Sequence, residues 1–181
     1  MNHPDSTDSA AARLRQLNQY FREHPVTGPL EGHSPQAAAP APLSLATLDH
    51  VTASINEVIK HTRSANPSAG RAPTRADAIY DWARQHTEHA PEAVQQRTAA
   101  IEYRQYLEHA IRAGDWRKVI RPQRCPECRT FGLMWQADTQ RALCTNTRCV
   151  DRDGFSTTVT LARLAHQHVT AQKKLRQSRA T

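Results

Sequence analysis

Two pairs of cysteines in the last third of this 181-residue chain limit what it can fold into more than any other feature. Cys125 and Cys128 enclose two residues, fifteen residues follow, and Cys144 and Cys149 enclose four. Two short turns of this kind can each offer two thiolates from one side, so that four sulfurs surround one metal ion as a tetrahedron. The spacing therefore predicts one structural zinc ion, Zn²⁺, held in a small zinc ribbon.

Other interpretations of the four cysteines fit the spacing less well. A tetrathiolate site also accepts an iron–sulfur cluster, but ribbon-like spacing favours zinc. A redox C-x-x-C pair ordinarily follows a strand at the start of a helix, and no such βαβ context is evident; buried free thiols are a further alternative. Because four cysteines occupy every coordination position, no place is left for water or substrate, which argues against catalytic zinc.

The sequence between and beside the cysteines contains few apolar residues that could form a core. The main ones are Phe131, Leu133, Trp135, Leu143 and Phe155. A core of this size cannot fold unaided. We therefore expect zinc to supply the missing free energy, which is about 10 to 16 kcal/mol in small zinc modules.

Upstream of the cysteines, three amphipathic patterns predict three consecutive helices. Ser44 is placed to cap the first, and Thr74 with Asp77 three residues later resembles a capping box for the second. Pro91 opens the third, and Gly114 is placed to end it. The three helices indicate a small bundle.

The two ends of the chain differ from this central region. A short helix is expected from about Ser9 to Glu23, followed by a linker rich in proline and glycine. Beyond Trp116, β-prone runs alternate with the cysteines, and Thr160 is placed to cap a final helix. The basic end of that helix, residues 173–179, is expected to fray.

These patterns predict an α+β protein in three parts. Residues 1–43 are interpreted as a mostly disordered arm with one short helix and a Pro-rich linker, and residues 44–115 as a helical domain. Residues 116–181 are interpreted as a four-cysteine zinc ribbon with a terminal helix and a basic tail. The three β-prone runs within it cover residues 131–136, 141–144 and 155–159.

Positive charge is concentrated in the last of these parts. Residues 1–43 and 44–115 each carry a net charge of −1, whereas residues 116–181 hold 13 basic and 4 acidic residues, a net charge of +9. Four thiolates and one zinc ion lower that value by about two charges, and a strong excess remains. Such an excess is typical of surfaces that attract nucleic-acid phosphates.

Basic side chains near the cysteines and in the tail are the candidate phosphate contacts. They are Arg124, Arg129, Arg141, Arg148, Arg152, Lys173, Lys174 and Arg176. The alternative is that the arginines near the cysteines only screen a tetrathiolate zinc site of charge −2. Trp116 and Trp135 could stack on bases, but a position in the core is the simpler interpretation.

Sequence motifs of common enzymes are missing from the chain. It contains no P-loop, Rossmann glycine pattern, nucleophile elbow or H-E-x-x-H motif. His86 and His89 could share a helix face, but no carboxylate or cysteine partner lies beside them in the sequence. We therefore expect a non-enzymatic protein with no catalytic residues and no small-molecule substrate.

No stretch of the sequence approaches the roughly 20 apolar residues of a membrane-spanning helix. The first residues also lack the cationic and apolar segments of a signal peptide. We expect a cytoplasmic protein that does not enter a membrane.

Several segments resemble a family of actinobacterial and actinophage proteins that join a helical N-terminal region to a C-terminal zinc ribbon. These segments are the Cys-Pro-Glu-Cys motif at 125–128, Gly-Leu-Met-Trp at 132–135, the second cysteine pair with residues 150–154, and Thr-Leu-Ala-Arg-Leu-Ala at 160–165. Residues 79–82 and 103–115 fit as well, so the resemblance covers about residues 44–170. It implies metal binding and does not indicate a partner.

The preferred hypothesis from the sequence is a zinc protein that binds DNA as a regulatory or accessory factor through its basic C-terminal third. The alternative is a zinc-stabilised adaptor that holds a protein partner with the helical domain.

Overall fold

The computed structural model describes residues 9–23 and 45–179 of the chain, which form helices and one small sheet. The helices are α1 Ala10–Glu23, α2 Leu45–Ala65, α3 Ile79–Thr87, α4 Glu92–Arg112, α5 Trp116–Ile120 and α6 Leu161–Arg179, with a 3-10 turn at Ala76–Ala78. The strands are β1 Leu133–Gln136, β2 Arg141–Cys144 and β3 Thr158–Val159. The predicted linker, the Ser44 cap and the rest of the predicted arm lie outside the described residues.

The three predicted helices form a bundle, and the helix before them packs into it. Val51 and Val58 of α2, Ile79 of α3 and Ile101 of α4 are buried in one apolar core. Leu14 of α1 is fully buried in the same core. The segment predicted as a separate arm therefore contributes a helix to the bundle, in which Leu14 is buried.

The start of α3 differs from the prediction. The residue before the 3-10 turn is Arg75, and no side chain caps that turn or α3. The Asp77 carboxylate, expected in a capping box with Thr74, instead forms ion pairs with Arg75 and Arg15. The carboxylate therefore accepts from two guanidinium groups, one of them from α1. In a capping box it would instead accept from the backbone N–H of the cap residue.

Helix α4 ends as its sequence predicts. Gly114 adopts a φ of +81°, the left-handed conformation that glycine allows at no steric cost. The N–H groups of Gly114 and Asp115 donate to the carbonyls of Ile111 and Ala110, at 3.0 and 2.8 Å. This is a Schellman motif, and it turns the chain from α4 into α5.

The three strands form an antiparallel sheet in the order β1-β2-β3. Leu133 pairs with Cys144, and Ala142 pairs with both Trp135 and Val159. Because side chains alternate along a strand, these residues share the inner face of the sheet. All three predicted β runs contain strands, although the third is reduced to Thr158–Val159.

A second core joins this sheet to the helices. Leu133 and Val159 of the sheet pack with Ile120 of α5, Leu107 of α4 and Leu164 of α6. We refer to residues 124–159 as the cysteine module. Its inner face is covered by three helices, so the module does not depend on its own few apolar residues alone.

Three residues that the sequence assigned to the core of the cysteine module lie outside it, and one of them, Leu143, lies on the outer face of the sheet. Phe131 is 58% exposed and Phe155 is 72% exposed, whereas Leu133 is buried. The space beneath the sheet is filled by side chains of α4, α5 and α6, which leaves no room for the two phenyl rings. Trp116 and Trp135 are partly buried against this core, as the simpler interpretation predicts.

Helix α6 begins at its predicted cap and runs along α4. The Thr160 hydroxyl accepts a hydrogen bond from the N–H of Arg163, at 3.3 Å. Further along, the ring of His168 stacks on Tyr103, with centroids 3.6 Å apart. The basic tail, which was expected to fray, continues the helix to Arg179.

Candidate metal centre

Four sulfur atoms meet between the sheet and α5. Cys125 and Cys128 come from the turn that follows α5, Cys144 ends β2, and Cys149 lies in the loop after it. The four Sγ atoms all lie within 4.8 Å of one another. Two cysteine pairs that are distant in sequence therefore form a single cluster that could hold one metal ion.

The distances between the sulfurs match those around a tetrahedral ion. Sγ of Cys125 lies 3.8 Å from Sγ of Cys149, and Sγ of Cys128 lies 3.6 Å from Sγ of Cys144. Zinc–sulfur bonds of about 2.3 Å in a regular tetrahedron place neighbouring sulfurs about 3.8 Å apart. A disulfide needs about 2.05 Å, and all four cysteines are free.

Backbone hydrogen bonds shape the first cysteine turn, residues 125–128. The N–H of Cys125 donates to the carbonyl of Thr130 at 2.9 Å, and the N–H of Arg129 donates to the carbonyl of Cys125 at 2.8 Å. Arg129 adopts a φ of +61° to close this turn. The turn thus directs both sulfurs to one side.

The second cysteine turn, residues 144–149, is held in a similar way. The N–H of Cys144 donates to the carbonyl of Thr157 at 2.9 Å, and the N–H of Cys149 donates to the carbonyl of Asn146 at 2.8 Å. The Asn146 side chain also accepts the N–H of Arg148, at 3.1 Å. These bonds join the turn to the strand that returns toward α6.

A close contact joins the two turns. The Thr145 hydroxyl donates to the carbonyl of Gly132 at 2.6 Å. Gly132 has a φ of +102°, and a Cβ atom there would lie 2.8 Å from Thr145 Oγ1. Only glycine therefore fits where the first turn meets the second.

The sulfur atoms differ in their environments. Hydrogen bonds from the Thr130 side chain and backbone lower the pKa of Cys128 to about 6. Burial raises the pKa of Cys144 to about 12. Cys128 is partly exposed and the other three sulfur side chains are buried. A metal ion that binds here displaces the protons of the buried thiols, so binding depends on pH.

The donor set fits zinc. Thiolates are soft ligands, and soft ligands favour zinc. The spacing of the four sulfurs suits tetrahedral coordination, and the d electrons of zinc impose no other geometry. Four protein ligands also complete the coordination sphere. When bound, the ion would crosslink the two cysteine turns, and it would have no open position for a reacting molecule.

No family model, no curated protein and no solved structure matches the chain. The resemblance to actinobacterial and actinophage proteins thus stays a prediction. None of the helices in the described ranges, 9–23 and 45–179, is long and apolar enough to cross a membrane.

The structure gathers the five candidate arginines on the cysteine module and separates them from the tail. Arg124, Arg129, Arg148 and Arg152 are exposed beside the two cysteine turns, and Arg141 is exposed at the start of β2. The guanidinium of Arg124 lies 3.9 Å from the centroid of the Phe131 ring. Four of the five arginines therefore lie in or beside the cysteine turns, and Arg141 lies at the opposite end of β2 from Cys144.

The candidate residues of the tail lie at the other end of α6. Twelve residues separate Leu161 from Lys173, a helical distance of about 18 Å. Lys173 forms an ion pair with Glu92 at the start of α4, while Lys174 and Arg176 are exposed. The eight predicted contacts thus form two groups and not one patch.

Sequence reasoning overlooked a buried polar cluster in the helical bundle. His50 of α2, Tyr80 of α3, and Gln105 and His109 of α4 form a chain of hydrogen bonds. The signal was present in the sequence, because Ile101, Gln105 and His109 are spaced by four and share the buried face of α4.

Proposed function

We propose that this protein is a non-enzymatic zinc protein that binds DNA, as a regulatory or accessory factor, with its cysteine module and the basic helices beside it. The observation that carries the proposal is that a closed cluster of four cysteines has exposed arginines in and beside its two turns. In this arrangement zinc holds the two cysteine turns together, and the arginines contact phosphates. The module is then a zinc ribbon, and its metal is structural.

Charge supports a role for the flanking helices as well. Between residues 124 and 158, five arginines are balanced by four carboxylates, so the module itself carries little excess charge. Helix α6 holds five basic residues and no acidic ones, and residues 117–121 add three basic residues. Long-range attraction of DNA would therefore come mainly from α5 and α6.

Several arginines of the module are available for a ligand. The guanidinium groups of Arg129, Arg148 and Arg152 form no ion pair with any residue in the described ranges. By contrast, Glu127 is already paired with Arg163, at 2.5 Å. Free cations beside a neutralised carboxylate are suited to phosphate binding.

The backbone of Arg129 supports the same interpretation. Its φ of +61° lies in the left-handed region, where a side chain other than glycine costs about 1 to 2 kcal/mol. An arginine at a position that favours glycine is explained if its guanidinium makes a functional contact. A contact with a phosphate is of this kind.

The chemistry of the site also supports the absence of catalysis and a cytoplasmic location in this proposal. Four cysteine ligands leave the metal no position for substrate. Four free thiols are compatible with the reducing conditions of the cytoplasm, where zinc competes with no disulfide.

Fluorescence anisotropy with labelled DNA, measured on the full zinc-loaded chain, tests the proposal. We expect binding that weakens steeply as salt rises, because cations released from DNA drive it. The triple variant Arg129→Gln, Arg148→Gln, Arg152→Gln should bind more weakly. The slope of the logarithm of its binding constant against the logarithm of salt concentration should be shallower by about 0.9 per lost phosphate contact. Arg71→Gln, an exposed residue in the loop before α3, is the matched control. No binding to duplex or single-stranded DNA at low salt would refute the proposal.

The adaptor hypothesis has less support from the helical domain. Among the described residues of α2, α3 and α4, Leu48 is the one large hydrophobic side chain that is well exposed. The other large apolar side chains described in these helices are buried or partly buried. The adaptor role stays a prediction, and a protein complex that survives high salt and needs residues 45–112 would support it.

A further inference from the structure

Exposed hydrophobic side chains cluster on the cysteine module. Six large hydrophobic side chains are well exposed among the described residues. Four of them belong to the module, namely Phe131, Met134, Val150 and Phe155. Single exposed hydrophobics are normal on protein surfaces, but four within 25 residues mark a surface that contacts something.

The two phenyl-bearing segments each pair with a residue next to a clustered cysteine. Phe131 pairs through its backbone with Arg124, the residue before Cys125. Phe155 precedes Ser156, which pairs with Val150, the residue after Cys149. The sulfurs of Cys125 and Cys149 are 3.8 Å apart, so both backbone pairs lie beside the sulfur cluster.

The outer face of the sheet carries a further exposed apolar residue of the module. Met134 lies opposite Leu143, and Leu143 lies opposite Thr158, in one row across the three strands. These residues alternate with those of the buried inner face, and Met134 is 43% exposed. Arg141 lies on the same outer face and donates to the Thr158 hydroxyl at 3.4 Å. The result is an apolar strip with a cation at one end.

The two phenyl rings are costly to expose. Burying a phenylalanine side chain removes a large apolar surface from water and stabilises a fold, and this module has few apolar residues to bury. Arg124 already places its guanidinium against one face of the Phe131 ring. A second flat group that stacks on the open phenyl faces would recover part of the lost burial.

Aromatic faces among arginines match one class of ligand better than others. Unpaired bases present flat faces that stack on phenyl rings, and the phosphates between them pair with guanidinium groups. In duplex DNA the base faces are covered by neighbouring bases, so a duplex could use only the arginines.

We infer that the surface formed by Phe131, Phe155 and Met134, with Arg124, Arg148 and Arg152 around it, binds single-stranded DNA by stacking bases on the two phenyl rings. This inference rests on the proposed function and specifies its ligand. Sequence preference is expected to be low, because every base has a face to stack.

Competition between DNA forms tests this inference on the full zinc-loaded chain. A labelled 20-nucleotide single strand should bind more tightly than the duplex of the same sequence. Phe155→Leu and Phe131→Leu should each weaken single-strand binding at least about five-fold, the size of one lost stacking contact, while Phe155→Tyr retains it. Leu175→Ala, which changes a 59% exposed residue of α6, is the control for lost apolar surface.

The outcomes separate the inference from the proposed function. Duplex binding as tight as single-strand binding, or Phe→Leu variants that bind single strands as well as the parent, would overturn the stacking surface and leave DNA binding intact. Tighter binding of an RNA strand than of the DNA strand would overturn the choice of ligand. Because both rings are exposed, the variants should keep one zinc and the melting temperature of the parent, which native mass and thermal unfolding verify.

Discussion

Nε2 of His50 lies 3.0 Å from Nδ1 of His109, which joins helices α2 and α4. The Tyr80 hydroxyl donates to Oε1 of Gln105 at 2.7 Å, so its oxygen must accept from Nε2 of His109, at 3.1 Å. Nδ1 of His109 is then the acceptor for the N–H of His50. The contact between the two rings holds one proton, so the histidines cannot both be charged without placing two N–H groups against each other.

This arrangement predicts that the helical bundle loses stability in mild acid. Burial, followed by the charges of His50, Arg112, Arg13 and Arg104, lowers the pKa of His109 to about 3. Burial, Arg112 and Arg104 lower the pKa of His50 to about 4. Unfolded histidines titrate near 6.5, so the unfolded chain binds more protons below that pH. The free energy of unfolding should be highest above pH 6.5, where both histidines are neutral in either state. It should fall by about 1.4 kcal/mol per pH unit for each histidine as the pH decreases toward 4.

Chemical unfolding of the zinc-loaded protein between pH 7 and 5 measures this slope. The charges of Glu57, Glu102 and Glu108 act on Tyr80 in the same cluster; burial raises the pKa of Glu108, which opposes the trend. The double variant His50→Gln, His109→Gln should show a shallower slope, whatever its absolute stability. His166→Gln, an exposed residue of α6, should keep the parental slope. Equal slopes for parent and double variant would contradict the prediction.

Removal of the metal should destabilise more than the cysteine module. The inner face of the sheet shares its core with α4, α5 and α6, so separating the two cysteine turns exposes Leu107 and Leu164 as well. We expect one zinc ion per chain by native mass, and a lower melting temperature after chelation or in Cys144→Ser. Thr147→Ala, a change in the same turn at an exposed residue that is not a ligand, is the control. Unchanged melting after complete chelation would show that no structural metal is needed.

Zinc binding should also release protons. Because Cys144 is protonated at neutral pH and Cys128 is largely ionised, fewer than four protons should leave per ion at pH 7. Calorimetric titrations in buffers of different ionisation enthalpy count these protons. Zinc affinity should rise from pH 6 to pH 8, and an affinity that is independent of pH would contradict the described sulfur environments.

Gly132→Ala should weaken the contact between the two cysteine turns. The new Cβ would meet Thr145 Oγ1 at 2.8 Å, and a φ of +102° is strained for alanine. The two effects together should cost about 1 to 3 kcal/mol of unfolding free energy, measured with zinc in excess. Gly70→Ala is the matched control, since nothing lies within 4 Å of its Cβ. Equal stability of the two variants would refute this account of Gly132.

Arg129→Gly should separate stability from binding. Glycine relieves the left-handed strain but increases the freedom of the unfolded chain, so the expected change lies between zero and a gain of about 1 kcal/mol. DNA affinity should decrease, because a phosphate contact is lost. Denaturant unfolding and anisotropy on the same sample measure both effects. A clear loss of stability would mean that the Arg129 side chain has a structural task.

Local features of the sequence predicted much of the fold. The spacing of the four cysteines indicated one cluster, because each pair forms its turn from neighbouring residues. Gly114 and Thr160 marked helix ends for the same reason, since their hydrogen bonds connect residues only a few positions apart. The capping box at Thr74 failed because Asp77 has cationic partners nearby, one of which comes from α1.

Burial was harder to predict from the cysteine module alone. Phe131 and Phe155 are large apolar residues beside the cysteines, and they were assigned to the core. In the fold, the inner face of the sheet is covered by Ile120 and Leu164, which belong to other elements. The helices that cover the sheet decide which side chains of the module stay exposed. The sequence of the module alone contains no pattern that indicates this coverage.

The sequence by itself determined the cysteine turns, the amphipathic helices and the basic character of the last third, since each depends on residue type and short spacing. Only the tertiary structure decided that α1 joins the bundle, that His50 meets His109, that the tail lies far from the metal centre, and that two phenyl rings face outward. These features arise from contacts between residues distant in sequence, whose energies depend on how all the helices and the sheet share one limited supply of apolar surface.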